Sequence, residues 1–278
     1  MRATPLERLL LGMLAVAVTV WTLLPILHIL VISITPPGDA FLGRLWPAEP
    51  TLVNYLTVLT QDDYYLSNIW LQFGNSLFVA VMSCALVLLL ATTVSFAVAR
   101  LEVRFGWVVT NLALLTYLIP AAFLAIPFYK VMGTYGLLNS TWSLIIAMVV
   151  IASPYAIWVL RQYSDSVPRE LDEAARIDGA TSLQVFWLVY LPLVTPALVA
   201  TGSFAFLHAW NEYLYAFLLL SSETVQTVPV SLSYFLRVDE PVWPVVMAIS
   251  LLYSIPPVAL YYFTRRFMVS GMTAGAVK

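Results

Sequence analysis

Charge is scarce in this sequence. Only 10% of the 278 residues are Asp, Glu, Lys or Arg, against about 25% in soluble domains. Hydrophobic residues make up 61%, and the mean hydropathy is +0.89. A water-soluble fold has nowhere to hide that much apolar surface. The formal net charge is -2 and the basic residues are scattered, so there is no cationic patch and nucleic acid is not an expected partner. The single cysteine, Cys84, lies in an apolar run. It excludes an intrachain disulfide and a Cys/His metal constellation, and it reads as a small packing residue. His28 and His208 each stand alone. The pattern G-x-x-x-x-G-K-[ST] is absent, and Lys130 and Lys278 lie outside any glycine-rich loop, so the chain is not expected to bind and hydrolyse ATP itself. H-E-x-x-H and G-x-S-x-G are also missing, which argues against an intramembrane hydrolase. With no Gly/Ser-rich linker or charge block, residues 1–278 read as a single domain.

What the sequence has instead is long apolar runs. A helix needs about 20 apolar residues to cross the hydrocarbon core. Six stretches reach that length, approximately 9–33, 74–99, 107–131, 141–162, 190–220 and 243–264. None alternates with period two, so helices fit better than barrel strands. The first run is too long for a signal peptide and ends in Ser33-Ile34-Thr35-Pro36-Pro37 without a small-x-small cleavage pattern. The expected fold is all-α and polytopic, in contact with the lipid bilayer. With the N-terminus inside, the inner ends and loops carry Arg2, Arg8, Arg100, Arg104, Arg161, Arg169, Arg176, Arg265, Arg266 and Lys278. The outer side carries only Arg44, Lys130 and Arg237. The positive-inside rule then places both termini in the cytoplasm. Outer loops are expected over 34–73 and 221–242, with a tight one near 132–140. Prolines 120 and 127, 192 and 196, and 256 and 257 are expected to kink spans three, five and six.

The long inner connection, Arg161 to about Val189, is the most polar stretch of the chain. Pro168 suits a first helical turn, acids at 170, 172 and 173 suit a helix N-terminus, and Gly179 suits a left-handed helix end. These signals predict a helix of about three turns. Thr181 and Gln184 form a capping-box pattern that starts a second helix leading through Phe186 and Trp187 to the membrane. Leu171, Ala174, Ala175 and Asp178 recur at i, i+3, i+4 and i+7, giving a face of small side chains beside carboxylates. Such a face admits close approach of another protein. The alternative, an interfacial amphipathic helix, would carry bulky apolar and basic residues, whereas this one is alanine-rich and acidic.

Glu173-Ala174-Ala175, then Gly179, Val189 and Leu191-Pro192, resemble the EAA motif of ABC importer permeases, EAA-x3-G-x9-I-x-L-P. Only Val189 departs, from Ile. Asn75-Ser76-Leu77, Ile126-Pro127-Phe128-Tyr129, Gly136-Leu137-Leu138-Asn139-Ser140, Ala209-Trp210-Asn211-Glu212 and the terminal 271–278 segment are similar to the second permease of maltose-type and glycerol-phosphate-type importers. The first 50 or so residues carry no sharp motif. The resemblance implies a carbohydrate-type ABC importer of type I permease fold, in the cytoplasmic (inner) membrane of a bacterium or archaeon. Its core of five helices would span 74–266, with the EAA loop at 163–189. The expected partners are an ABC ATPase dimer, a second permease in a heterodimer and an extracytoplasmic solute-binding protein. ATP and magnesium would sit on the ATPase and no cofactor on this chain. Leu171, Glu173, Ala174, Ala175, Arg176, Ile177, Asp178 and Gly179 would make the ATPase contact. Thr227, Pro229 and Asp239 fall in a loop that, in the maltose-type family, reaches the binding protein.

Polar residues in or beside the spans are candidates for a substrate pathway, because a charge at mid-membrane costs about 2.5–3.5 kcal/mol on insertion scales. Glu212, beside Asn211, is the clearest, and reads equally as a buried hydrogen-bond partner. Asn75, Tyr117 and Tyr213 are further candidates, each open to a packing role. No Arg or Lys is deeply placed, which disfavours an anionic substrate such as a glycerol phosphate diester and favours a neutral sugar; a di- or oligosaccharide is expected, with glycerol phosphate or another polyol as the alternative. A secondary transporter would need a partner carboxylate and internal repeats, and neither is visible.

Overall fold

The computed structural model describes residues 4–40, 42–101, 103–236 and 242–274, and every regular element among them is helical. Helix α1 (Pro5–Ser33) begins at a capping box in which Glu7 N donates to Thr4 Oγ1 and Thr4 N to Glu7 Oε2, with Pro5 at the first helical position. Among the described residues four helices are long and apolar enough to cross a membrane: α1, the one ending at Arg100, the one over Thr141–Asp165 and the one from Trp243. Two bent pairs bring the number to six if each counts as one span. The six expected spans correspond to four continuous helices and two bent pairs, of which Ser182–Trp210 is offset from the expected 190–220.

The chain forms two compact units, one running to Ile69 and including Leu232–Ile255, the other comprising Trp70–Ser231 and the chain from Pro256 onward. In the first unit, α2 (Val53–Thr60) lies beside the end of α1. Buried Asn54 donates its amide hydrogens to the carbonyls of Ser33 (2.8 Å) and Thr35 (2.9 Å). It thereby satisfies acceptors that a helix end leaves without intrahelical partners. Tyr65 meets Phe235 edge-on, with ring centroids 5.8 Å apart.

The second unit is built on α3 (Ile69–Arg100), α4 (Gly106–Leu115), α5 (Ala121–Thr134) and α6 (Thr141–Asp165). After the loop that follows α6 come α7 (Glu170–Ile177), α8 (Ser182–Gln184), a π-helical stretch (Val185–Tyr190), α9 (Leu191–Leu193), α10 (Thr195–Trp210) and α11 (Leu214–Leu219). Its core joins Val87 and Ala91 of α3, Ala152, Ala156 and Leu160 of α6, and Ala197 and Ala205 of α10. Small residues let membrane helices pack closely where hydrophobic burial alone supplies little drive. At Gly202 a Cβ would approach Leu88 to 3.1 Å and the Cys84 sulfur to 3.5 Å. Cys84 also donates to the Gly202 carbonyl at 3.3 Å, so it serves as packing.

The third expected span divides at Pro120, where Gly106–Leu118 and Ala121–Thr134 meet at 101°. A residue before proline is pushed out of the helical region, and Ile119 is extended at φ -81°, ψ 118°. The fifth divides at Val194, between Pro192 and Pro196, with a bend of 77°. The missing N–H of Pro196 and the crowding of its ring against the preceding turn account for this break. Pro256 and Pro257 instead lie within one continuous helix, α13 (Trp243–Ala274).

The expected outer loops contain regular structure. α2 lies within 34–73, α3 begins at Ile69, and α12 (Val228–Phe235) occupies part of 221–242. Polar side chains clasp the stretch before α12. Asn139, at φ +59°, accepts through Oδ1 from Ser221 N (3.1 Å) and Ser222 N (2.8 Å), and its own N–H reaches the Leu219 carbonyl (2.8 Å). Gln72 donates to Glu223 O, Asn75 to Thr224 O and Gln226 O, and Ser76 Oγ accepts from Val228 N. Replacing Asn139 by Ala removes two acceptor bonds and leaves a β-carbon at a left-handed φ. The expected loss is about 2–3 kcal/mol, a fall of several degrees in thermal midpoint. Asn139→Gly should recover only the backbone part. Unfolding scans of the detergent-solubilised protein measure both, and an unchanged midpoint in Asn139→Ala would refute the clasp.

Candidate functional site

The polar loop between α6 and α10, expected on the inner side, folds from local signals. α7 starts after Arg169 and carries Glu170, Asp172 and Glu173 in its first turn, where carboxylates meet the positive end of the helix dipole. It has eight residues, about two turns rather than the three expected, because Pro168 lies outside the helix and precedes its N-cap. At its other end Gly179 stands at φ +90°. Gly179 N–H bonds to Arg176 O (3.0 Å) and Ala180 N–H to Ala175 O (2.9 Å). These are the two bonds of a Schellman end. The second helix opens with the expected capping box: Gln184 N donates to Thr181 Oγ1 (3.4 Å) and Thr181 N to Gln184 Oε1 (2.8 Å).

Beyond Gln184 the chain winds as a π-helix, which nothing in the residue pattern announced. Val185 and Tyr190 are fully buried there. Phe96 of α3 meets Phe186 and Tyr190 edge-on at centroid distances of 5.1 and 5.0 Å. The Tyr190 hydroxyl lies 2.7 Å from Ser164 Oγ and 3.1 Å from Ser95 Oγ, and the two serines are 3.1 Å apart. Three hydroxyls thus join α3, α6 and the π-helix in an apolar surround. Ala175 and Ala180 pack on the same cluster.

α7 is held by an ion pair that sequence reading missed. Arg100 Nε, at the end of α3, lies 3.0 Å from Asp172 Oδ2, and the two side chains are only 2% and 6% exposed. Arg100 Nη2 also donates to Val167 O at 3.0 Å. Removing one member of a buried pair typically costs about 3–5 kcal/mol, because the other charge stays desolvated. A cavity of about 350 Å³ adjoins the pair, lined by Arg169, Glu173, Arg176 and Ser182 among others. The expected face of small side chains is therefore divided. Asp172 is buried and Ala175 half-buried against the loop's core, while Leu171, Ala174, Asp178 and the 86% exposed Ile177 point outward with Glu173 and Arg176.

The other candidates lie apart from this loop. Asn75 spends both amide hydrogens on the 224–226 backbone. Asn211 donates back to Leu207 O (3.0 Å), and half-buried Glu212 accepts from Tyr215 N (2.8 Å), capping α11. Tyr213 stacks on Phe217 at 5.7 Å. Tyr117 heads a row of rings, with Tyr155 at 5.9 Å, Phe204 a further 4.7 Å on and His208 stacked on Phe204 at 5.9 Å. Thr227 is buried and Pro229 sits in the first turn of α12. Asp239 lies outside the described residues.

Long apolar helices, two of them broken at prolines, and a short charged helix mounted rigidly on a loop between spans define a polytopic membrane transport component. The chain belongs to the binding-protein-dependent transport system inner membrane component family, whose pattern matches residues 91–269. It is 33% identical over 268 residues to the diacetylchitobiose uptake system permease protein DasC of Streptomyces coelicolor, covering 95% of each chain. Over 280 residues it is 30% identical to the trehalose/maltose transport system permease protein MalG of Thermococcus litoralis, covering 100% of this chain and 99% of that one. The fold is that of an ABC importer permease. A crystal structure of a bacterial ABC transporter involved in import of the acidic polysaccharide alginate matches with a TM-score of 0.82 and 26% identity. The match covers 96% of this chain and 99% of the other.

Gly179→Val separates backbone conformation from contact, since a Cβ at Gly179 would meet nothing within 4 Å. A β-branched residue at that φ should cost about 1–2 kcal/mol or more and undo the Schellman end. Transport is expected to be lost while the chain still inserts in the membrane. Import assays beside a membrane-fraction blot measure this, and normal transport coupled to ATP hydrolysis in Gly179→Val would contradict it.

Proposed function

We propose that this chain forms half of the translocation pathway of an ATP-driven importer and takes a sugar, with a di- or oligosaccharide favoured. The observation that carries the reading is the inner loop. A two-turn helix ends on Gly179, has its inner side held by Arg100, and presents Leu171, Glu173, Ala174, Arg176, Ile177 and Asp178 outward. A helix fixed at both ends can pass on a displacement, and its exposed face suits a cleft in a separate ATPase. The chain itself catalyses nothing in this scheme, and ATP and magnesium belong to that ATPase. A second permease would complete the pathway, a solute-binding protein would deliver cargo to the outer face, and both termini would be cytoplasmic.

The sugar assignment is supported by likeness to permeases named for diacetylchitobiose and for trehalose/maltose. Tyr117, Asn211, Glu212 and Tyr213 remain the pathway candidates. The row from Tyr117 to His208 suits the purpose, because aromatic faces pack against the C–H faces of sugar rings. Asn75 is better suited to holding the outer segment. A second reading, an acidic saccharide, is favoured by the likeness to the alginate importer.

A tagged chain should co-purify with an ATPase and a second permease. In liposomes, import should require the solute-binding protein and ATP. Recovery of a lone chain that transports by itself would refute the subunit reading. Titrating the binding protein with neutral and uronate oligosaccharides discriminates the two cargo classes.

A further inference from the structure

α3 is gripped at both ends by polar contacts, and the two grips reach the two surfaces on which an importer must receive signals. At its outer end Gln72, Asn75 and Ser76 hold the backbone of residues 223–228 through four hydrogen bonds of 2.9–3.2 Å. At its inner end Arg100 is paired with Asp172 in the first turn of α7 and bonded to Val167 O just before it. Gln72 and Arg100 are 3% and 7% exposed. Between Asn75 and Arg100 the chain is unbroken helix, with no proline to absorb strain, and at about 1.5 Å per residue it spans roughly 38 Å. α7 also joins the membrane through α6, which carries Pro154, and through Gly179, the π-helix and the 77° bend at Val194. Of the three routes, α3 alone has neither a proline nor a break.

We infer that α3 is a transmembrane connecting rod, with Arg100 as the positioning residue that ties it to the ATPase-facing helix. The Gln72-Asn75-Ser76 clasp ties it to the 223–228 segment, which under the proposed function lies on the outer face where the binding protein delivers cargo. The inference rests on the proposed function. A shift of the 223–228 backbone pulls on α3, and the Arg100–Asp172 pair delivers that displacement to α7. Removing either grip leaves α3 in place and disconnects its ends. The Tyr190–Ser95–Ser164 hydroxyl cluster braces the end of α3 near Arg100 against α6.

Coupling between distant sites is established by energetic coupling rather than by a chain of contacts, and a double-mutant cycle measures it. The complex is purified with its ATPase, reconstituted in liposomes, and assayed for ATP hydrolysis with and without sugar-loaded binding protein. The ratio of the two rates is the readout. Arg100→Gln and Asn75→Ala should each lower that ratio about tenfold. The double variant should lower it no further, because a rod cut at one end is not cut again at the other. Arg100→Asp combined with Asp172→Arg should return the ratio to within about threefold of the unaltered complex. Losses that multiply in the double variant would overturn the inference, since two independent structural defects behave that way. A charge-swapped chain that fails to regain stimulation, whether or not it assembles, would overturn it too. If the unaltered chain binds no ATPase, or loaded binding protein gives no stimulation, the proposed function fails instead.

Discussion

A polar group taken out of water, whether in lipid or in the protein interior, has to be satisfied by the protein itself, and helix ends carry the most such groups. That constraint organises this chain. Where α1 ends, Asn54 supplies two donors to stranded carbonyls. Where α6 begins and α11 ends, Asn139 bonds to three backbone groups. Where α10 gives way to α11, the Glu212 carboxylate takes the Tyr215 N–H. At the inner loop the Schellman end at Gly179 and the Thr181–Gln184 box complete two helix ends set back to back. These polar residues fall at the discontinuities, and the apolar residues fill the straight helices.

The same constraint explains how a membrane protein with few charges uses them. Asp172 and Arg100 are buried together, which is tolerable because each offsets the other's desolvation. The pair converts a short, acidic, alanine-rich helix from a mobile surface element into one with fixed register on α3. With Ala175 and Ala180 seated on the Phe186 and Tyr190 cluster, the outward face is set by what is locked inward. Ile177 and Leu171 thus lie on the exposed face, the one that the proposed function assigns to the ATPase, whereas the largely exposed α1 is long and apolar enough to face lipid.

Much of this was legible in the residues, and the legible parts are local. Caps act over three or four positions, so Thr181 with Gln184 and Gly179 could be read directly, and the structure has both. Prolines remove a donor at a known residue, so breaks near 120 and 192–196 were foreseeable. Their angles of 101° and 77° were not, because a proline permits a bend whose size the neighbouring helices set. Pro168 misled in the opposite way. It is as compatible with the residue before a helix as with its first turn, and the helix came out a turn shorter. Asn75 and Glu212 drew notice as polar groups in apolar surroundings, yet which backbone groups they bond depends on where residues 224, 226 and 215 come to lie.

The sequence by itself determined that the chain is a helical membrane protein, the approximate extent of its spans, and the presence of a polar loop with a glycine-terminated helix. Each follows from hydropathy and from spacings shorter than two helical turns. Only the tertiary structure decided that Arg100 reaches Asp172, that Tyr190 closes a hydroxyl cluster with Ser95 and Ser164, and that α3 holds both the outer segment and the inner helix. Those partners lie tens to more than a hundred positions apart along the chain. A lone arginine at the end of a span looks like a positive-inside residue until folding brings a carboxylate to it and removes the water from both.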